Sequence, residues 1–232
     1  MTTIGENLER VRKRMAAACV AAGRNPHEVS LLAVSKSVDA EGVAQAAAAG
    51  QTAFGENYIQ EALGKMALLQ QWALQWHCIG PIQSNKTRVV AENFDWVHSV
   101  DRFKIAQRLS EQRPPHLAPL QVCIQVNIDA GANKGGVLPD EAQALARQIE
   151  GLPRLALRGL MTIPEPAADF AGACAVHLKT KHLFDSLCHD GLDLDTLSMG
   201  MSDDLEAAIH CGSTLVRVGS ALFGQRRQLG FP

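Results

Sequence analysis

The chain has 232 residues and a formal net charge of −2, with 47% hydrophobic and 20% charged residues. That balance suits a soluble globular protein able to bury a sizeable core, and it supplies no basic excess for a nucleic-acid surface. No stretch approaches the roughly 18 uninterrupted apolar residues of a membrane span, so neither nucleic acid nor membrane is expected as a partner.

The chain opens on a helix. Ile4, Leu8, Val11, Met15 and Cys19 recur at three- and four-residue steps, and Thr3 with Glu6 supplies a capping-box start. "RVRKR" at 10–14 reads as the wet side of that helix, and "RKRMAAACVAAG" as its continuation rather than an export signal. Six cysteines (19, 78, 123, 174, 188 and 211) show no CxxC and no paired spacing. They suit reduced thiols in a cytoplasmic protein.

"VSLLAVSK" (29–36) reads as a buried strand that ends on an ammonium, Lys36. Strand ends meet water, where lysine is at home; an amine at the mouth of a barrel can also form an imine with an aldehyde. Further strands are expected at 52–57, 76–80, 96–100, 120–128, 155–163, 194–201 and 214–224. Helical patterns fill the gaps at 39–49, 57–71, 84–93, 101–112, 139–150, 168–189 and 203–211. Several strands are continuously hydrophobic, as in a parallel sheet covered on both faces. Eight strands alternating with helices point to an α/β fold, a single (β/α)8 TIM-type barrel with an additional N-terminal helix, forming one domain over 1–232. An open doubly wound sheet is the alternative. No GxGxxG follows the first strand, which weighs against a dinucleotide site. No linker rich in Gly, Pro or Ser divides the chain, and "QRPPHLAPL" (112–120) reads as a tight loop into the fifth strand.

Active sites of such barrels gather at the carboxyl ends of the strands. There the chain places Lys36, "GEN" (55–57), "HCIGPIQSNK" (77–86), "NIDAGANKGG" (127–136), "MTIPEP" (161–166), "SMGMSDD" (198–204) and "RVGSALFG" (217–224). Ser202, read as the N-cap of a helix, and Gly219 with Ser220 after the last strand form an expected phosphate cradle. Asp203 and Asp204 would repel a phosphate if they faced it; turned to water they complement the helix dipole. Arg217 shares a strand face with Gly219. It either pairs with a carboxylate on a neighbouring strand or donates to a heteroaromatic nitrogen. His177, His182 and His189 lack the i, i+4 spacing of a helical metal pair and read as solvated or capping residues. His210 and Cys211 are sequence neighbours that do not face each other. Cys78 and Cys123 read as inert core thiols.

The combination "LLAVSK", "FGENYIQE", "WHCIGPIQSNK", "GLMTIP", "LSMGMSDDLEAAI" and "STLVRVGSALFG" resembles the pyridoxal phosphate homeostasis protein family, from about residue 5 to residue 226. That family resembles the barrel half of alanine racemase, a fold type III pyridoxal phosphate enzyme, without its second, β-rich domain. The resemblance implies that Lys36 holds pyridoxal 5′-phosphate as a Schiff base and that Ser202, Gly219 and Ser220 bind its phosphate. It implies that Arg217 faces the pyridine nitrogen and that Asn57, Met199 and His77 line the ring. Ser220 stands where threonine is commoner in relatives and keeps the hydroxyl. Lys134 falls where the family has a lysine, in a segment, "DAGANKGG", looser than the usual form.

Bound pyridoxal phosphate is an electron sink, and the protein selects the reaction around it. A permanently charged arginine opposite the ring nitrogen weakens that sink. Racemisation also needs acid/base groups on both faces of the substrate. In the related racemases the second is a tyrosine of the other domain; here the one tyrosine is Tyr58, which reads as packing at a helix start. The expected role is therefore storage and delivery of the cofactor, with little or no turnover. A fold type III racemase or decarboxylase is the alternative, and a cofactor-free Schiff-base aldolase using Lys36 a third reading. Expected partners are the cofactor itself and client apo-enzymes or amino acids, with the chain a monomer or weak dimer and no metal bound.

Overall fold

A computed structural model of the chain describes residues 2–131 and 134–224. The domain expected over 1–232 ends on residues 225–232, which lie outside the described residues, as do Ala132 and Asn133 within "DAGANKGG".

The elements run α1 (Ile4–Ala21), β1 (Ser30–Val34), α2 (Ala40–Ala48), β2 (Ala53–Glu56), α3 (Ile59–Leu68), β3 (Gln75–Cys78), α4 (Thr87–Asn93), β4 (Trp96–Val100) and α5 (Phe103–Gln112). They continue β5 (Leu120–Val126), α6 (Ala142–Glu150), β6 (Leu155–Thr162), α7 (Phe170–His189), β7 (Thr196–Ser198), α8 (Leu205–His210), β8 (Leu215–Val218) and α9 (Ser220–Phe223). Each strand pairs in parallel with the next, and β1 closes on β8 with Ser30 opposite Leu215 and Ala33 opposite Val218. The sheet is a closed barrel, so the open doubly wound alternative is excluded.

Most boundaries differ from the sequence expectations by a few residues, and three of the differences bear on the carboxyl mouth. The seventh strand is cut to three residues because Gly200 turns away at φ +92. The eighth stops at Val218, and "SALF" coils into α9 instead of extending it. The helix after β7, expected over 203–211 with Ser202 as its N-cap, begins at Leu205 with Asp204 before it, and Ser202 lies in a turn.

Burial explains the strand composition. Val122, Cys123 and Ile124 succeed one another in β5 with no exposure, because the barrel interior covers one face and the helices the other. The β5–β6 register shifts between Val122 and Cys123. Gly159 sits opposite that shift at φ +155, where a Cβ would lie 1.8 Å from the Thr196 carbonyl oxygen; only glycine fits. The capping box of α1 forms, with Thr3 Oγ1 accepting from the Glu6 N–H at 3.2 Å and Glu6 Oε2 accepting from the Thr3 N–H at 2.8 Å. Its stripe of Leu8, Val11, Met15 and Cys19 is buried. Its polar side grips the last described turns: Asn7 Nδ2 donates to Leu222 O at 2.9 Å, and Arg14 reaches Ser202 O at 3.1 Å and Glu206 at 2.8 Å. Among the described residues no helix is long and apolar enough to cross a membrane.

Candidate functional site

At the carboxyl mouth of the barrel lies a cavity of about 220 Å3. Lys36, Asn57, Ser202, Arg217, Gly219 and Ser220 line it with Val34, Ile79, Ile163, Met201 and Asp203. Six side chains or backbones expected from sequence thus meet around one space, although they come from positions 36 to 220.

Lys36 follows β1 in a tight turn. Val38 N–H closes on Ser35 O at 3.0 Å, and Ser37 adopts a left-handed φ of 61, a conformation that costs a non-glycine residue about 1 kcal/mol or more. A buried network beneath the turn holds that geometry. Lys65 Nζ donates to Ser35 O at 2.6 Å, to Glu56 Oε1 at 2.7 Å and to Glu61 Oε1 at 2.5 Å. Glu61 Oε1 also accepts from the Ser37 N–H at 2.7 Å, and Ser35 Oγ donates to Glu56 at 2.6 Å. Glu56 has no exposure; burial raises its pKa, with Lys65 opposing. Sequence reading missed this network. The signal was available: Glu56 shares a strand face with Phe54, and Lys65 stands three residues after Ala62 on the apolar stripe of α3, so both charges had to be buried and paired.

Arg217, 4% exposed, points along the barrel interior. Its guanidinium donates to Ser198 O, to Ser198 Oγ at 2.8 Å and to Thr162 O at 2.7 Å. The partners are neutral oxygens rather than a carboxylate on a neighbouring strand. Burial pushes its pKa down to about 10, with Asp204 opposing, so it stays a cation at neutral pH. Ser220 Oγ donates to Ser202 Oγ at 3.1 Å, joining the turn after β7 to the start of α9. Asn57 Oδ1 is a buried acceptor with no protein partner. Its backbone is seated by close approach of Gly80, where a Cβ would lie 2.2 Å from Asn57 O.

Other residues fall elsewhere. Met199 has no exposure and packs in the core, so it does not line the cavity. His77 lies inside the barrel toward its opposite, amino-terminal mouth, bonded to Gln75 and His98. Tyr58 is 58% exposed at the start of α3 and does not line the cavity either. Lys134 Nζ bonds Asp129 at 2.7 Å, Glu165 at 3.1 Å and Ile163 O at 3.1 Å, tying the loop after β5 to that after β6. Burial would lower its pKa, but those carboxylates win and raise it. Asp204 is half-buried rather than turned to water: its carboxylate accepts from the Met201 N–H at 2.6 Å and meets His177 Nε2 at 3.0 Å. These bonds outweigh burial and lower its pKa. His177 is correspondingly a buried partner, with no exposure, not a solvated or capping residue. Cys78 and Cys123 are core thiols, each pushed up to about 12 by burial.

Fold and site together define a lysine-bearing barrel of the alanine racemase type, and the family model described as the alanine racemase N-terminal domain matches residues 3–227. The pyridoxal phosphate homeostasis protein of Pseudomonas aeruginosa is 58% identical over 226 residues, 97% of each chain. The structure of PipY from Synechococcus elongatus with PLP bound superposes with a TM-score of 0.83 at 36% identity, covering 96% of this chain and all of that one. Alanine racemase from Corynebacterium glutamicum shares the fold at a TM-score of 0.73 and 18% identity, over 99% of this chain and 62% of its own. The chain belongs to the pyridoxal phosphate homeostasis protein family.

Proposed function

We propose that this chain binds pyridoxal 5′-phosphate at the carboxyl mouth and serves cofactor homeostasis by storing and delivering it, with little or no turnover. The convergence of Lys36, Asn57, Ser202, Arg217, Gly219 and Ser220 on one cavity carries the reading. The residues fit the group: Asn57 offers a buried acceptor that lacks a protein partner, Arg217 a fixed cation, and Ser202 with Ser220 a pair of adjacent hydroxyls.

Bound there, pyridoxal phosphate supplies an aldehyde that an amine can hold reversibly and a ring that withdraws electrons. Lys36 would hold the aldehyde end covalently through Nζ. Ser202, Gly219 and Ser220 would receive the phosphate, and Arg217 would donate toward the ring nitrogen. A guanidinium only donates, so Arg217 keeps any proton off that nitrogen and limits electron withdrawal. Among the described lining residues, Asp203 is the one carboxylate, beside Ser202, and none is a tyrosine, histidine or cysteine. That lining supports a carrier over a racemase, which needs a second acid/base group across the substrate. Client apo-enzymes or amino acids would be the other partners, with the chain a cytoplasmic monomer or weak dimer formed as one domain.

Purified protein should show a visible absorption band, and borohydride should fix a cofactor-sized mass increment on the peptide containing Lys36. Lys36→Ala should lose both, with alanine Cα deuterium exchange in heavy water near background in the parent. A Lys36→Ala protein as coloured and as loaded as the parent would overturn the proposal. Rapid exchange with inversion would overturn the carrier role.

A further inference from the structure

The barrel has a second cavity at its amino-terminal mouth, about 730 Å3 in volume, within the range of small-molecule sites. It is bounded by the first residues of several strands, including Ser30, Gln75, Trp96 and Thr196. Its wall is rich in hydrogen-bond donors and holds no Asp or Glu among the described lining residues. Arg158, which lies over the Trp96 ring, is neutralised by Asp195 just outside the lining. Among the described residues Arg12 has no such carboxylate: its hydrogen bonds go to the uncharged oxygens of Ala49, Gly50 and Gln51.

The inner wall of this cavity connects to the other mouth. His77 Nε2 meets Gln75 Oε1 at 3.0 Å, His77 Nδ1 meets His98 Nε2 at 2.8 Å, and His98 Nδ1 meets Ser198 Oγ at 2.9 Å. Ser198 Oγ in turn accepts from Arg217. The direction of every bond follows from Arg217, which can only donate. If Ser198 accepted from both neighbours, its own proton would be buried with no acceptor, at a cost of about 1–3 kcal/mol. So Ser198 donates to His98 Nδ1, His98 Nε2–H to His77 Nδ1, and His77 Nε2–H to Gln75 Oε1. Both rings are neutral in this chain, and burial pushes their pKa values down, to about 3 for His77. Gln75 must then turn its NH2 away from His77, which adds another donor at the cavity it lines.

We propose that the amino-terminal mouth is a second binding site for a small anion bearing a carboxylate or phosphate, and that its occupancy is felt at Arg217 through the Gln75–His77–His98–Ser198 chain. An acceptor-rich anion satisfies Arg12 and the Gln75 NH2. Pulling on Gln75 alters the one acceptor on which the chain ends, and each bond in a buried series polarises the next.

The test is NMR of protein labelled with 15N in histidine and arginine side chains, titrated with succinate and with inorganic phosphate, and with succinamide as the uncharged control. One or both anions should shift the His77, His98 and Arg217 signals saturably, while succinamide does not; which anion binds distinguishes a carboxylate from a phosphate ligand. Arg12→Met should weaken binding about tenfold or more, as loss of a charge-assisted bond predicts. In Ser198→Ala the His77 shift should persist and the Arg217 shift disappear. No saturable shift with either anion, a shift unaltered in Arg12→Met, or an Arg217 response that survives Ser198→Ala would each overturn the proposal. An anion landing at the carboxyl mouth would give the second of these. None of these readouts requires bound pyridoxal phosphate, so the outcome is independent of the function proposed above.

Discussion

Acid should unfold this protein in part through a single imidazole. Burial pulls the folded-state pKa of His77 from its ordinary 6.5 to about 3, so the ring stays neutral in the barrel. Between those two values the unfolded chain takes up a proton that the folded chain refuses. The stabilisation is therefore complete above the unfolded value and is lost as pH falls below it. One such group changes stability by about 1.4 kcal/mol per pH unit, so lowering pH from about 7 to about 4.5 removes about 2.5 kcal/mol through His77 alone. That is a large share of a typical stability of about 5–15 kcal/mol. His98, shifted in the same direction by burial and by its neighbours His77 and Arg217, steepens the fall further. Urea unfolding of the parent and of His77→Gln at both pH values isolates the contribution, because the fixed cost of the substitution cancels in the difference. The pH-dependent loss should shrink by about 2.5 kcal/mol in the variant. Equal losses in the two proteins would refute the claim that the barrel holds His77 neutral.

Two further substitutions test the supports of the carboxyl-mouth site. Lys65→Met strands the fully buried Glu56 carboxylate and should cost about 3–5 kcal/mol in urea unfolding; a cost under about 1 kcal/mol would mean that the pair contributes little to folding. Gly80→Ala drives a methyl to 2.2 Å from the Asn57 carbonyl oxygen and should cost about 1–3 kcal/mol. It should also lower the cofactor absorbance of the purified protein by displacing Asn57, and unchanged loading would separate Asn57 from binding.

Most of the architecture was legible because its signals are local. Eight apolar segments at regular spacing, each followed by a helical pattern, leave little besides a closed barrel, and the lysine after the first strand stands out as a charge ending a buried run. The residues around the cavity were legible as strand ends and by family resemblance. What escaped were partnerships made across the barrel. Nothing in the sequence neighbourhood of His77 says that its ring faces His98 and Ser198 rather than a cofactor, because that choice is set by strand stagger and by how deep a residue sits along the barrel. Met199 was misread for the same reason, one pleat being enough to move a side chain from mouth to core. His177 read as solvated because its spacing to His182 and His189 offered it no partner on its own helix, while its partner, Asp204, lies 27 residues on in the turn after β7.

The grip of α1 on Leu222 and Ser202 has a temporal consequence. A ribosome delivers α1 well before residues 202–223, since synthesis runs from the N-terminal side. Neither half of the hydroxyl pair can be braced until nearly all of the described chain has emerged and its earliest helix has found its latest turns. The carboxyl-mouth cavity therefore takes its described shape late in synthesis, once the earliest helix and the latest turns are both present.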